Sequence, residues 1–131
     1  QDGGQSWARR GTEANLPLRA VAFLSFGEAV AVGESGVILK TDNSGMSWKQ
    51  QRVAANLYSV AFRGDNLIAV GGEVGYFWNK RVIFRSRDRG ENWNKEVDEA
   101  GAVLYGVSIG AKMTAIACGE SGTLLQTTGH D

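Results

Sequence analysis

The sequence predicts an all-β propeller made of blades of four antiparallel strands, three blades to the chain. Three observations carry this. Tryptophans recur at Trp7, Trp48 and Trp93, spaced 41 and 45 residues apart. Between them three short apolar segments repeat in fixed order, and a glycine-bearing polar turn precedes each tryptophan. Periods of about 40 to 45 residues holding four short strands are how propeller blades read in sequence.

The first segment is LRAVAF at 18–23, LYSVAF at 57–62 and LYGVSI at 104–109. The second is EAVAVGE at 28–34, LIAVGGE at 67–73 and TAIACGE at 114–120. The third is GVILKT at 36–41, RVIFRS at 81–86 and GTLLQT at 122–127, and the tryptophan segment is the fourth. All are short, rich in β-branched and aromatic residues, and bounded by Gly, Asn and Asp, which is strand chemistry. Several are apolar almost throughout, as strands covered on both faces are. No segment sustains an i, i+3, i+4 apolar stripe, so essentially no helix is expected.

Between third and fourth segments lies SRDRGENW, residues 86–93, of the form Ser/Thr-x-Asp-x-Gly-x-x-Trp. An Asp there accepts hydrogen bonds from the backbone of the turn. Gly90 takes a positive φ without steric cost, and Trp93 opens the next strand and caps the core between sheets. Counting back five from each tryptophan gives Asp2, Asn43 and Asp88, with Gly4, Gly45 and Gly90 following. Asn43 keeps an acceptor but no charge, and Asp42 sits one residue early, which argues for a structural turn and against a metal or acid role. These residues resemble the Asp-box (BNR) repeat. The longer unit GESGVILKTDNSGMSW, 33–48, resembles the blades of the photosystem II assembly-factor (Ycf48/HCF136-like) propeller group. The resemblance runs over nearly the whole chain and implies the propeller fold. Asp-boxes occur in sialidases, xyloglucanases, sorting receptors and assembly factors alike, so it implies no single activity.

A chain of 131 residues fits one domain, 1–131. Lys plus Arg, 14, balances Asp plus Glu, 14, which points away from nucleic acid and anionic membranes. No apolar run approaches the roughly 20 residues of a membrane helix. The lone Cys118 excludes an intrachain disulfide framework and a cysteine zinc site, and the single His130 disfavours His-dependent catalysis or metal binding. No cofactor or metal is expected, and no compartment is legible.

Residues 1–10 read as a lone fourth strand, 17–52 and 56–97 as blades, and 102–131 as three strands of a split blade. Three blades are fewer than the four to eight that usually close a propeller. Head-to-tail association, with the first strand of one copy completing the last blade of another, gives a six-bladed homodimer. Three copies give nine blades, and a piece of a longer propeller is the remaining arrangement.

The middle repeat departs from the others. Glu34 to Thr41 and Glu120 to Thr127 each span seven residues, whereas Glu73 to Ser86 spans thirteen. The sequence therefore places an insertion of about six residues in the connection between second and third strands, carrying Tyr76, Phe77, Trp78, Asn79, Lys80 and Arg81. Adjacent aromatics on a loop mark a contact surface, or else pack on a blade edge or subunit interface. Arg85, Arg87 and Arg89 alternate and, with Lys80 and Arg81, offer donors to carboxylates or phosphates from one strand face. Ordinary solvated strands look similar. The resemblance implies a basic surface that contacts a client protein, as in assembly-factor propellers. Glu34, Glu73 and Glu120 recur after the second segment, on a candidate rim or in repeated local hydrogen bonds.

No arginine cluster with a tyrosine nucleophile, no pair of placed carboxylates and no phosphate-binding glycine loop stands out. The function expected is therefore non-catalytic: a scaffold that presents a rim or central channel to a protein partner. A carbohydrate-binding propeller is the alternative, and a glycosidase-related one the third reading. Light scattering coupled to size exclusion should give a mass near twice 14.1 kDa; a monomer sinks strand exchange, and three times that mass means nine blades.

Overall fold

The computed structural model describes residues 15–127. The expected first strand at 1–10, with Asp2, Gly4 and Trp7, lies outside the described residues, as does His130.

Three antiparallel sheets follow one another along the chain. The first runs β1 (Leu18–Phe23), β2 (Ala29–Gly33), β3 (Val37–Thr41), β4 (Lys49–Arg52), in that spatial order. The second runs β5 (Asn56–Arg63), β6 (Asn66–Val74), β7 (Asn79–Ser86), β8 (Asn94–Ala100). The third holds three described strands, β9 (Leu104–Ile109), β10 (Ala115–Gly119) and β11 (Leu124–Thr127). This is an all-β fold of stacked propeller blades. The only helical features among the described residues are three single-turn 3-10 segments, Glu34–Gly36, Ala111–Met113 and Glu120–Gly122. No described helix is long and apolar enough to cross a membrane.

β5 packs against both β1 and β9, so the first strands of the three sheets converge on the inner side and β4 and β8 lie outermost. The apolar alternation explains the stacking. Val30, Val32 and Ile38 of the first sheet meet Val60, Leu67, Ala69 and Phe84 of the second in one core. The opposite face of the second sheet gives Ile68 and Val70 to a core shared with Leu104, Ala115 and Ala117 of the third. Val32, Ile38, Leu57, Leu67 and Val70 expose no surface at all. Strands buried on both faces explain the near-continuous apolar segments.

Each first hairpin opens on the same irregularity. Leu18 pairs with Gly33, Leu57 with Gly71 and Leu104 with Gly119, and beside each pair the register shifts by one residue. The residue passed over is Arg19, Tyr58 or Tyr105, a bulge that turns that side chain off the regular pleat. The glycine opposite permits it. A Cβ at Gly33, Gly71 or Gly119 would lie 2.1, 1.9 or 2.0 Å from the carbonyl oxygen of Pro17, Asn56 or Val103.

The insertion in the middle repeat builds strand rather than loop. β6 and β7 have 9 and 8 residues against 5 each in β2 and β3. Gly72 pairs with Arg81, Glu73 with Lys80 and Val74 with Asn79, leaving only residues 75–78 as the connection. Pairing satisfies backbone groups that a long loop would leave to solvent. This corrects the placement of Asn79, Lys80 and Arg81 on a loop.

Gly71→Ala is expected to cost about 3 kcal/mol in urea unfolding, because the clash is with backbone and cannot be relieved by a rotamer. Gly64→Ala, at φ 62° with nothing within 4 Å, should cost only about 1 kcal/mol, the left-handed penalty alone.

Candidate functional site

The turns between third and fourth strands are two copies of one hydrogen-bond pattern. In the second sheet, the Ser86 hydroxyl donates to Asp88 Oδ1 (2.8 Å) and accepts from the Gly90 amide (2.8 Å). Asp88 Oδ1 accepts from the Asn92 amide (2.9 Å), and Asp88 Oδ2 from Asn92 Nδ2 (2.8 Å). In the first sheet, Thr41 Oγ1 donates to Asn43 Oδ1 (2.8 Å) and accepts from the Gly45 amide (2.9 Å). Asn43 Oδ1 accepts from the Ser47 amide (3.0 Å), and Asn43 Nδ2 donates to Ser47 Oγ (2.8 Å). The amide of Asn43 therefore reproduces what the carboxylate of Asp88 does. Positive φ at Ser44 (61°), Gly45 (89°), Arg89 (61°) and Gly90 (91°) makes both turns of the I′ kind. Hydrogen bonds to the carboxylate, led by the Asn92 side-chain amide, outweigh burial and hold the Asp88 carboxyl at about 2.

Each turn delivers a tryptophan to the face of its own blade that looks toward the preceding one. Trp93 packs into the core between first and second sheets, and its Nε1 donates to Gly90 O (3.1 Å). Trp48 packs on Ala31, Val37 and Leu39, the face of the first sheet opposite that core. Its buried indole N–H has no partner among the described residues.

Charge pairing joins the blades along the same seam. Lys40, almost fully buried, reaches Glu91 at 2.7 Å and Glu28 at 3.9 Å. Arg89 binds Glu28 and, at 3.0 Å, Asp65. Glu28 is held below the usual carboxylate range, chiefly by Arg89, and Glu91 chiefly by Lys40. The sequence hint for this seam is Lys40, a basic residue just before third-strand Thr41; the matching residue is Arg85 in the second repeat and Gln126 in the third.

The basic residues do not form one exposed strand face. Arg85 lies inside β7 and pairs with Glu96 (2.7 Å); β7 ends at Ser86, so Arg87 and Arg89 belong to the turn. Lys80 meets Asp98 (3.2 Å) and Arg81 meets Glu99 (3.1 Å) across the β7–β8 ladder. β8 carries Glu96, Asp98 and Glu99 opposite these cations, so the cluster is largely neutralised within its own blade. Arg87 alone of the five keeps well over half its side chain exposed, 3.9 Å from Glu96.

The three glutamates divide. Glu34 and Glu120 open 3-10 turns at the inner rim, whereas Glu73 lies within β6 opposite Lys80. By register the position matching Glu34 and Glu120 is Gly72, the residue after the bulge glycine Gly71. The extended hairpin displaced the repeat by one residue. Glu34 binds Arg19, the bulged residue of β1. Glu120 accepts from Asn79 Nδ2 (2.9 Å), the Val103 amide (3.2 Å) and the hydroxyl of bulged Tyr105 (3.4 Å). Tyr105 lies 4.9 Å from the ring of Tyr58, the third bulged residue. Sequence reasoning missed this inner ridge, although its signal was present: the second position of each first segment is Arg, Tyr or Tyr.

At the tip of the long hairpin Tyr76, Phe77 and Trp78 are 95%, 89% and 59% exposed. Tyr76 and Phe77 meet edge to face at 4.9 Å. Together with Asn79, Gly101, Glu120 and Ser121 they border an open hollow of about 590 Å3 between the hairpin and the third sheet. Among the described residues no three His, Cys, Asp or Glu side chains are grouped to hold a metal ion.

Known proteins resemble part of this sequence, and solved structures share its fold. The chain is 44% identical over 72 residues to the photosystem II stability/assembly factor HCF136 of Oryza sativa subsp. japonica, covering 48% of the chain and 17% of the relative. With HCF136 of Arabidopsis thaliana the identity is 42% over 59 residues, covering 42% and 15%. The chain thus spans less than a fifth of the curated relatives it matches. A solved structure described as Ycf48 bound to D1 peptide superposes with a TM-score of 0.73 at 15% identity, over 90% of this chain and 39% of that one. Ycf48 from Cyanidioschyzon merolae gives 0.69 at 22%, over 89% and 35%. No protein-family model matches. The described sheets share the propeller fold of those Ycf48 structures.

Asp88 supplies a pH test. Its folded pKa of about 2 lies below the ordinary 3.8, so its contribution is complete above about pH 4 and is lost as pH falls toward 2. In thermal unfolding from pH 7 to 2, Asp88→Asn should abolish that part of the acid dependence and stay near wild type at neutral pH, as Asn43 does. Asp88→Ala should cost about 1 kcal/mol at neutral pH.

Proposed function

We propose that this Ycf48-like propeller is a non-catalytic binding module that takes a peptide segment of a client protein during assembly of a larger complex. The observation that carries the reading is the sequence likeness to proteins named as assembly factors. A neighbour in fold described as bound to a peptide supports it. The candidate surface is the hairpin tip of Tyr76, Phe77 and Trp78 with the hollow beside it, where rigid aromatic area meets fixed acceptors. Arg87 is the cation best placed to meet an acidic group on the client, since it is the most exposed of the five and its Glu96 partner is 3.9 Å away, whereas Lys80, Arg81, Arg85 and Arg89 have closer carboxylates. Rim carboxylates Glu34 and Glu120 are held by neighbours, which suits positioning rather than proton transfer.

The same reading closes the ring by head-to-tail pairing of two copies into six blades. In favour of it, the third sheet presents Ile116 and Leu124, 41% and 62% exposed, on its far side. A blade face of this kind calls for a neighbour.

A fluorescently labelled D1 peptide titrated with the protein provides the check by anisotropy. Saturable binding is expected, weakened about tenfold or more by Phe77→Ala or Trp78→Ala and hardly changed by Glu73→Gln. No binding by the wild type, or equal binding by all variants, counts against the assignment. A glycan array that is positive while the peptide is silent would favour the carbohydrate reading.

A further inference from the structure

The hollow beside the aromatic tip carries a net sign. Among the described residues Glu120 is the only charged side chain that lines it, together with the rings of Tyr76, Phe77 and Trp78. The guanidinium of Arg81 runs against Gly101 at its edge, but it pairs with Glu99 (3.1 Å) and does not line the hollow.

Glu120 differs from its counterpart in the first sheet. Glu34 and Glu120 each open a 3-10 turn. Each backbone amide donates to the carbonyl of the residue before the first strand, Pro17 O at 3.0 Å and Val103 O at 3.1 Å. The side chains then meet different neighbours. Glu34 is neutralised by Arg19, the bulged residue of β1. The bulged residue of β9 is Tyr105, whose hydroxyl stands 3.4 Å from Glu120 Oε2. The other donors, Asn79 Nδ2 (2.9 Å) and the Val103 amide (3.2 Å), both go to Oε1 and are also neutral. Glu120 therefore has no cationic partner among the described residues. Glu96, Asp98 and Glu99 of β8, by contrast, are each matched by an arginine or a lysine.

Neutral donors fix the direction of a carboxylate without cancelling its charge. Oε1 is taken twice, while Oε2 has one long contact and lone-pair capacity to spare. The charge is felt nearby: burial first, and then Glu120, raise the Tyr105 hydroxyl above its ordinary value. The face of an aromatic ring is negative at its centre, so exposed rings and an uncompensated carboxylate attract the same kind of group. A hollow of about 590 Å3 has room for a long side chain with the backbone on either side of it.

We infer that the hollow is a cation pocket, which takes an arginine or lysine side chain of the bound client segment. The rings of Tyr76, Phe77 and Trp78 cover its methylene stem and its charge, and Glu120 Oε2 accepts from its N–H groups. The inference rests on the peptide reading above and names the side chain that anchors the segment. An acidic residue at the same point meets a like charge, so Glu120 also excludes the wrong segment.

Nitrogen–proton correlation NMR on the whole chain tests this with three small probes: N-acetyl-arginine N-methylamide and its lysine and norleucine equivalents. The Trp78 indole peak, assigned by its loss in Trp78→Phe, is the readout. The arginine or the lysine probe should shift it saturably and bind at least about fivefold tighter than neutral norleucine. The tighter of the two names the anchor. Glu120→Gln keeps an acceptor for Asn79 and Val103, so it should erase that preference and leave norleucine unchanged. Ser121→Lys sets a cation at the exposed rim of the hollow, in a left-handed conformation that Lys112 already adopts in its own turn. It should erase the preference as well, and it serves where Glu120→Gln disturbs the fold. Norleucine binding as tightly as the cations, or a preference that survives both variants, overturns the cation pocket and leaves the peptide reading standing. Silence of all three probes while the labelled D1 peptide binds does the same. Silence of probes and peptide together removes the peptide reading and the inference with it.

Discussion

Everything in this structure hangs on a side-chain oxygen at the third-to-fourth strand turn. Asp88 Oδ1 gathers the Ser86 hydroxyl and the Asn92 amide, and the Ser86 hydroxyl in turn holds the Gly90 amide. These contacts fix a stretch of backbone that otherwise has no ladder to join. Once the turn is fixed, the chain leaves it in a single direction and Trp93 arrives between two sheets. Asn43 manages the same with an amide oxygen, which shows that the acceptor, not the charge, is what the turn requires. Three hydrogen bonds to the Asp88 carboxylate are thus committed to the turn itself.

The second constraint is backbone proximity at the inner side. Gly33, Gly71 and Gly119 admit a carbonyl where any side chain would stand, and the bulge they allow turns Arg19, Tyr58 and Tyr105 out of the pleat. Because the first strands converge, these three side chains share one ridge. The fold thus separates its tasks radially. Tryptophans and the Lys40–Glu91 seam bind blades together further out, while the inner ridge carries side chains that no blade core uses. The long hairpin connects the two zones, because Asn79 at the start of β7 donates to Glu120 on the ridge. The base of the aromatic tip is thereby tied to the third sheet.

The sequence showed its strands plainly because each is a short apolar run between glycines, and three copies in register leave little freedom. The turn positions Asn43, Gly45, Asp88 and Gly90 were legible for the same reason: their chemistry is local. What escaped depends on pairing. The alignment of Glu73 with Glu34 and Glu120 follows the letters GE, but hydrogen-bond register places Gly72 there, and no linear comparison reveals a one-residue slip inside a longer hairpin. The alternation of Arg85, Arg87 and Arg89 suggested a shared face because it ignored where β7 ends. Their neutralisation was legible in principle, since NKEVDEA sets acids opposite NKRVIFRS, yet it required knowing that these two strands are neighbours.

Packing polarity decides how such blades assemble. Trp48 and Trp93, each following a third-to-fourth strand turn, face the preceding side of their blades, so a blade both offers a tryptophan and receives one. Blades with that asymmetry stack front to back rather than face to face. The charges point the same way: Lys40 reaches forward to Glu91 of the next blade, whereas Arg85 turns back to its own Glu96. The seam between first and second sheets thus carries an ion pair across blades, whereas at the second seam Arg85 stays within its own sheet. The cavity at that second seam and the hollow beside the aromatic tip lie between the same two sheets. The packing of that seam therefore also sets the wall of the hollow beside the aromatic tip.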